Sequence, residues 1–223
     1  MHRKFEDELD DLKEKILKMG GFVEAAVEAA TQALIQRNPK GFEAVHEYEH
    51  QINKAHVDVD EACLKLLALQ APLAADLRLV LAIVKINTDL ERMGDQSVNI
   101  SYSGEHYLLK PPVKSEVNLP EIAAQVRQMV TESLDAFVKG DVHAAKLVLE
   151  KDDAIDQYKS DAFKKMKAEM QENPQMIGSC LDMILITRNL ERLADHATNI
   201  AEDVIFVYTG RDVRHGFGKD NGN

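Results

Sequence analysis

The chain has 223 residues, a formal net charge of −11, a hydrophobic share of 45%, only six prolines and no tryptophan. Its evenly spread acidic charge argues against a nucleic-acid partner, which needs a basic patch, and against docking on anionic lipid. The longest apolar run, residues 79–84, falls far short of the roughly 20 residues of a membrane span, and the N-terminus has no signal-peptide core. We therefore expect a cytoplasmic helical protein without direct membrane insertion.

The first predicted helix carries an apolar heptad pattern. Between Phe5 and Ala33, apolar residues recur at alternating steps of four and three positions. This spacing predicts a long helix in a gently supercoiled bundle. Because the pattern keeps its register across Gly20 and Gly21, we expect close helix approach or a mild bend there and no break. Asn38 and Pro39 suit the end of this helix and the start of the next.

Five further helices are predicted along the chain. The second runs from about Pro39 to Leu69, and the third runs from about Leu73 to Leu109 and ends before two consecutive prolines. The fourth runs from Leu119 or Pro120 to Lys139, where a glycine and an aspartate suit a C-cap followed by an N-cap. The fifth lasts to about Gln171, and the sixth ends near Thr209.

The third and sixth helices contain the same motif. Residues 90–95, Leu-Glu-Arg-Met-Gly-Asp, recur at residues 190–195 as Leu-Glu-Arg-Leu-Ala-Asp, and the second and fifth helices match at an offset of 103 positions. The chain is therefore interpreted as an all-α tandem duplication of a three-helix bundle. The predicted division is a first repeat at 1–110, a linker at 111–118, a second repeat at 119–210 and a flexible tail at 211–223.

The repeated motif places two acids one helical turn apart in each repeat. Such a pair repels by ~0.2–0.5 kcal/mol in an isolated helix, so its presence twice in register suggests a bound cation. The second and fifth helices offer complements, Glu49 with Asn53 and Asp152 with Asp156. Oxygen ligands without cysteine favour Mg²⁺, Mn²⁺ or ferric iron. The candidate metal ligands are Glu49, Glu91, Asp95, Asp152, Asp156, Glu191 and Asp195.

Structural ion pairs are the open alternative to a metal, because basic residues lie close by in sequence. Arg92 directly follows Glu91, so we expect it to point away and to pair only across helices. Arg188, in contrast, can reach Glu191 three positions ahead. Lys85 and Arg192 are further candidates for such pairs.

The histidines give weaker signals. Glu43 with His46 and Glu47 with His50 have the Glu-x-x-His spacing of di-iron bundles, but both pairs fall on one helix, which favours surface residues. His56 and His196 show no evident acidic partner in sequence and are interpreted as solvated or capping residues.

Several segments together resemble the PhoU family, and the similarity covers about residues 5 to 215. The segments are Met-Gly-Gly at 19–21, Asp-Glu-Ala-Cys at 60–63, Ala-Asp-Leu-Arg-Leu-Val at 75–80, the motif at 90–95 and its extended repeat at 189–200. The resemblance implies two similar three-helix bundles in a cytoplasmic homodimer without enzymatic activity. It implies a role in repressing the phosphate-starvation response, in contact with the ATPase subunit of the phosphate ABC transporter and a membrane sensor histidine kinase.

The resemblance also implies metal binding, with iron or zinc, through Glu/Asp-x-x-x-Asp motifs. These correspond to Glu91 with Asp95, Glu191 with Asp195, and Asp152 with Asp156, whereas the fourth motif has Asn53 where a carboxylate is expected. Metal binding is therefore expected to be firmer in the second repeat. A metal-storage or di-iron bundle and a ligand-free helical adaptor remain the alternative functions.

Overall fold

The structure is a computed structural model that describes residues 2–115 and 117–213, and these residues form six long α-helices and no strand. The helices are α1 (His2–Ile35), α2 (Glu43–Gln70), α3 (Ala75–Leu108), α4 (Leu119–Lys139), α5 (Val142–Glu172) and α6 (Ile177–Thr209). The first three pack against one another, as do the last three. The predicted all-α fold of two tandem three-helix bundles is confirmed.

The heptad pattern of α1 forms the core of the first repeat. Ile16, Met19 and Val23 are completely buried, and α1 continues without interruption through Gly20 and Gly21, as predicted. A Cβ atom on Gly20 would lie 2.1 Å from the Cδ1 atom of Leu134 on α4. Glycine therefore permits close approach between helices of different repeats at this position.

The predicted start of the second helix at Pro39 is wrong. Pro39–Phe42 forms a short 3-10 turn, and the α-helix begins only at Glu43. The chain reverses so tightly here that a Cβ on Gly41 would lie 2.8 Å from the Cβ of Ala33. Asn38 occupies the cap position, but its side chain makes no capping hydrogen bond.

The caps between α4 and α5 are as predicted. Gly140 adopts a left-handed φ of 68° after α4, and Asp141 accepts hydrogen bonds from the amides of His143 and Ala144, both at 3.0 Å. These contacts reverse the chain and start α5 at once.

The two repeats pack along α3 and α6, which form the most extensive contact between helices. Lys85 near the start of α3 lies 2.8 Å from Asp203 near the end of α6, and Lys110 just after α3 lies 2.6 Å from Asp182 near the start of α6. These pairs show that the two helices are antiparallel. Because α1 also packs against α4, the repeats share one continuous hydrophobic core.

A buried glutamate holds the connection between α3 and α4. Glu169 on α5 is only 6% exposed, and its carboxylate accepts the backbone amides of Lys114 and Ser115, each at 2.8 Å. Burial alone would raise the pKa of Glu169, but these hydrogen bonds and the Lys114 charge lower it below its ordinary value. Ser179 of α6 adds a hydrogen bond of 2.7 Å to the carbonyl of Pro111. The connection is therefore fixed to the second repeat.

The predicted division at 110/111 and 118/119 stays a prediction. Of the predicted tail, residues 214–223 lie outside the described residues. None of the helices that the structure describes is both long and apolar enough to cross a bilayer.

Candidate functional site

The structure brings the four acids of the second repeat together between α5 and α6. We call Asp152, Asp156, Glu191 and Asp195 the second-repeat cluster. Asp152 and Asp156 are one turn apart on α5, and Glu191 and Asp195 are one turn apart on α6. The two pairs face each other across the contact between the helices, since the Lys159 ammonium contacts both Asp156 on α5 and Glu191 on α6.

The carboxylates of this cluster destabilise one another's charge. Burial, followed by the charges of Asp195, Asp156, Asp153 and Glu191, raises the pKa of Asp152 from 3.8 to about 6. Partial burial and the charges of Glu191 and Asp156 also raise the pKa of Asp195, although His196 and Lys159 oppose this shift. The cluster therefore retains negative charge that its surroundings do not fully neutralise.

Lys159 supplies positive charge inside the second-repeat cluster. Its Nζ lies 2.6 Å from Oε1 of Glu191 and 2.9 Å from Oδ1 of Asp156, and these hydrogen bonds raise the pKa of the ammonium group. The sequence analysis missed this lysine. Its spacing of three positions from Asp156 was visible, but its contact with Glu191 depends on how α5 and α6 are rotated against each other.

Arg188, which the spacing would allow to reach Glu191, forms no ion pair with it among the described residues. Lys159 of the neighbouring helix pairs with Glu191 instead. Among the ion pairs of the described residues, Lys85 pairs with Asp203 of the other repeat. The expectation that Arg92 points away from Glu91 is wrong, since its Nε lies 3.7 Å from Oε2 of Glu91. The long Arg92 side chain folds back along its own helix.

The matching acids of the first repeat are arranged differently. Glu49 accepts a hydrogen bond from the side-chain amide of Asn53, so one candidate ligand is held by the residue that replaces a carboxylate. Within the described part of the chain, Asp95 has no hydrogen-bond or ion-pair partner. The first repeat thus has three carboxylates where the second has four, and it has no lysine between them.

A buried polar contact joins α2 and α3 in the first repeat. The side-chain amide of the fully buried Asn87 donates to the His56 carbonyl and to Oδ1 of Asp60, both at 2.9 Å. His56 Nδ1 lies 3.3 Å from the Asn87 carbonyl, and its Nε2 lies 3.5 Å from Oδ2 of Asp60. The interpretation of His56 as lacking an acidic partner is therefore wrong. Asp60 lies four positions after His56, so this partner was visible in the sequence.

His196 also has an acidic partner, contrary to expectation. Its Nδ1 lies 2.8 Å from Oδ1 of Asp89 on α3, and Asn199 donates to the same oxygen at 3.2 Å. This contact crosses from one repeat to the other and could not be seen in sequence. The Glu-x-x-His pairs beginning at Glu43 and Glu47 all lie on α2, as predicted.

The negative charge of the second-repeat cluster is suited to a hard cation, but its side chains are not arranged to coordinate one. No three histidine, cysteine, aspartate or glutamate side chains within residues 2–115 and 117–213 are placed to hold one ion. The Lys159 ammonium already lies between Asp156 and Glu191, so a metal held by both would require it to move. The role of the seven predicted carboxylates as metal ligands stays a prediction.

This architecture defines a class: duplicated three-helix proteins with a carboxylate-lined contact in each repeat. The model of the PhoU domain family matches the chain twice, over residues 16–103 and 119–204. The chain belongs to the PhoU family.

Proteins similar along nearly their whole length support this assignment. A phosphate-specific transport system accessory protein PhoU homolog of Pseudomonas aeruginosa is 37% identical over 214 residues, which cover 96% of this chain and 88% of that protein. The crystal structure of PhoU from Pseudomonas aeruginosa matches with a TM-score of 0.88 and 37% identity, covering 92% of this chain and 99% of the other. The crystal structure of the phosphate transport system regulatory protein PhoU from Streptococcus pneumoniae matches with a TM-score of 0.87 and 30% identity, and the match covers 94% of this chain and 99% of the other.

Proposed function

We propose that this protein is a regulator of phosphate transport, which represses phosphate uptake and the phosphate-starvation response when phosphate is abundant. It acts in the cytoplasm as a non-enzymatic homodimer that contacts the transporter's ATPase subunit and a sensor histidine kinase. The observation that supports this proposal is the match along nearly the whole chain to proteins named as accessory and regulatory proteins of phosphate transport.

Exposed leucines at one end of the first repeat suggest where a partner binds. Their exposed fractions range from 38% to 79%, and an exposed apolar patch of this kind is typical of a protein-binding surface. This α2–α3 leucine cluster consists of Leu64, Leu69, Leu73, Leu77 and Leu81.

The second repeat preserves only part of this cluster. Leu77 and Leu81 correspond to the exposed Ile177 and Leu181, but Leu64 and Leu69 correspond to Lys167 and Glu172 at the offset of 103. We assign the leucine cluster to the transporter's ATPase subunit, since Leu64 and Leu69 extend its apolar surface along the end of α2. The exposed apolar residues of the second repeat have a different distribution and include Phe163, Ile177, Leu181 and Leu185.

The regulatory proposal is tested in a bacterium that lacks its own PhoU-family protein. Expression of this chain should restore repression of alkaline phosphatase in phosphate-rich medium. The variant carrying Leu64→Lys and Leu69→Glu, which copies the second repeat, should fold but lose both repression and co-purification with the ATPase subunit. The control Leu109→Ser removes an 86% exposed leucine away from the cluster and should behave as the unaltered chain does. Failure of the unaltered chain to repress would overturn the proposed function.

We further propose that the second-repeat cluster holds a hard cation such as magnesium, manganese or iron, with zinc as a further candidate. Asp152, Asp156, Glu191 and Asp195 would hold it after their side chains had moved closer together and the Lys159 ammonium had moved away from Asp156 and Glu191. A bound cation would neutralise their mutual repulsion and fasten α5 to α6. The raised pKa of Asp152 supports this proposal, because burial and the neighbouring charges of Asp195 and Asp156 both disfavour its ionised form, and a bound cation would favour it.

Elemental analysis of freshly purified protein, with and without prior chelation, tests the metal proposal. Asp152→Asn with Asp156→Asn should remove the bound metal. The matched control, Asp135→Asn with Asp161→Asn, removes two exposed carboxylates from α4 and α5 outside the cluster and should leave metal content unchanged. Equal metal content in both variants would show that the cluster is not the site.

A further inference from the structure

We propose that the cleft between α1 and α2 binds a small phosphorylated metabolite that also carries hydroxyl groups, of the nucleoside or sugar monophosphate class. This inference goes beyond the regulatory function and does not depend on it. The cleft has a volume of about 320 Å³ and lies within the first repeat, where its lining residues come from α1 and α2 and none comes from α3. Its lining residues are Lys15, Lys18, Phe22, Gln51, Lys54, Ala55 and Asp58.

The charge of the cleft is opposite to that of the protein. Three lysines converge on it although the chain carries a net charge of −11. Lys15 is paired with Asp11 on its own helix. Lys18 and Lys54, by contrast, form no ion pair within the described part of the chain, and the Lys18 ammonium lies 5.9 Å from the centre of the Phe22 ring. Two ammonium groups that form no ion pair within the described residues therefore line the same space, as expected for a site that binds an anion.

The remaining lining residues narrow the class of ligand. Phe22 and Ala55 provide an apolar wall, and Gln51 can both donate and accept hydrogen bonds. The Asp58 carboxylate can only accept hydrogen bonds, so a ligand must present a donor to it while its anionic end contacts the lysines. Hydroxyl groups separated from a phosphate meet this requirement. A cleft of about 320 Å³ is also at the small end of ligand sites, which suits a metabolite better than an extended peptide.

The second repeat contains the same cleft without these lysines. Between the residues just before α4 and the helix α5, a cleft of about 300 Å³ is lined by residues that include Asn118, Asp161 and Lys165. At the offset of 103, Asp161 corresponds to Asp58, whereas Lys15, Lys18 and Lys54 correspond to Asn118, Glu121 and Gln157. The cleft of the second repeat has a single lining lysine, Lys165, at a position where the first repeat has Ala62, whereas three lysines line the cleft of the first repeat. The concentration of positive charge is therefore a feature of the first repeat.

Isothermal titration calorimetry on the full chain tests the proposal, with adenosine monophosphate, ribose 5-phosphate and inorganic phosphate as probes. At least one of the two organic phosphates should bind saturably, at one site per chain. Lys18→Gln with Lys54→Gln should weaken that binding about tenfold or more, because each charge-assisted hydrogen bond accounts for roughly that factor. Added salt should weaken binding as well.

Control variants separate the cleft from general charge. Lys146→Gln with Lys167→Gln changes the net charge by the same amount on the surface of α5 and should alter affinity by less than about twofold. Asp58→Asn should weaken the organic phosphates more than inorganic phosphate, since only the former present hydroxyl groups to it.

Three results would overturn the proposal. One is the absence of saturable binding of both organic phosphates up to about 10 mM, the weakest affinity that a cellular metabolite would use. Another is an equal loss of affinity in the cleft and control variants. The third is binding of inorganic phosphate as tightly as the organic phosphates, which would indicate a site for the phosphate group alone.

Discussion

The two repeats share one backbone arrangement but hold their acidic helices together by different contacts. In the first repeat, the buried amide of Asn87 joins α3 to His56 and Asp60 of α2. In the second repeat, Asn87 is replaced by Thr187, His56 by Lys159 and Asp60 by Phe163. The contact between the helices is made there by Lys159, which forms ion pairs with Asp156 and Glu191.

This difference shows which part of the repeat the fold requires. The apolar positions facing the core are matched, since Ile52 and Ile86 of the first repeat correspond to the equally buried Ile155 and Ile186 of the second. The polar groups between the helices have diverged while the helices have kept their places. Core packing therefore fixes the fold, and the contact between the acidic helices is free to carry a function that differs between the repeats.

Removal of the buried amide should have the largest effect on stability. Asn87→Ala removes the donor to the His56 carbonyl and to Oδ1 of Asp60 and opens a cavity, so we expect a loss of about 2–3 kcal/mol in the free energy of unfolding. The matched variant Thr187→Ala removes only a hydrogen bond of 3.1 Å to Ile184 of the same helix and should cost under about 1 kcal/mol. Urea denaturation of both variants measures the difference. Equal losses would mean that the two contacts are energetically equivalent.

The buried Glu169 provides the next test, because the first repeat has the buried Leu66 at the corresponding position. Glu169→Gln should cost about 1–2 kcal/mol, since the amide can satisfy only one of the two backbone donors from Lys114 and Ser115. The exposed Glu172→Gln on the same helix is the control.

The pH dependence of Glu169 follows from the direction of its pKa shift. Its pKa in the folded protein lies below the ordinary value of 4.5, so its contribution is complete above pH 4.5 and is lost as the pH falls through the lowered value. The difference in unfolding free energy between the unaltered chain and Glu169→Gln should therefore shrink in acid. A constant difference across that range would contradict the role of the ionised carboxylate.

Asp152 should show the opposite pH dependence. Its pKa in the folded protein is raised from 3.8 to about 6, so its ionisation above that pH opposes folding, and stability is gained as the pH falls through about 6 toward 3.8. Asp152→Asn should therefore stabilise the metal-free protein by about 1 kcal/mol at pH 8, once solvent screening is allowed for, and by little at pH 4.

Thermal unfolding across this pH range, in the presence of a chelator, measures the effect of Asp152→Asn. The control Glu49→Gln lies at the corresponding position of the first repeat, where Asn53 replaces an acid. It should give the smaller change at pH 8. A larger gain in stability at pH 8 from Glu49→Gln than from Asp152→Asn would contradict the proposal that carboxylate repulsion is stronger in the second repeat.

Much of the fold, but less of the site, could be predicted from the sequence. The 3–4 spacing locates α1 and carries it through Gly20 and Gly21, because a heptad pattern reports which face of a helix is buried. The offset that pairs Glu91 with Glu191 reveals the duplication without any structure. These signals are local or repetitive, so they survive in a single sequence.

Contacts between helices could not be predicted in the same way. The partners of Asn87, Lys159 and Glu169 depend on the rotation and register of neighbouring helices, which spacing within one helix does not determine. Glu169 in particular is separated from its partners in the connection by more than 50 residues. The pair of His56 with Asp60 is different, since its spacing of four positions was visible and was overlooked.

The smallest expected effect concerns Lys159, and it tests whether this lysine takes the place of a cation. Lys159→Gln removes two partly exposed ion pairs, so it should cost only about 0.5 kcal/mol in a chelator. The same variant should bind Mn²⁺ more tightly than the unaltered chain, because Asp156 and Glu191 lose the ammonium that competes for their oxygens. The control Lys164→Gln removes an ion pair with Asp161 further along α5, outside the cluster, and should leave Mn²⁺ affinity unchanged. Weaker Mn²⁺ binding by Lys159→Gln would instead show that the lysine positions the carboxylates for the metal. The two repeats would then differ in metal affinity because the first repeat has His56 at the position of Lys159.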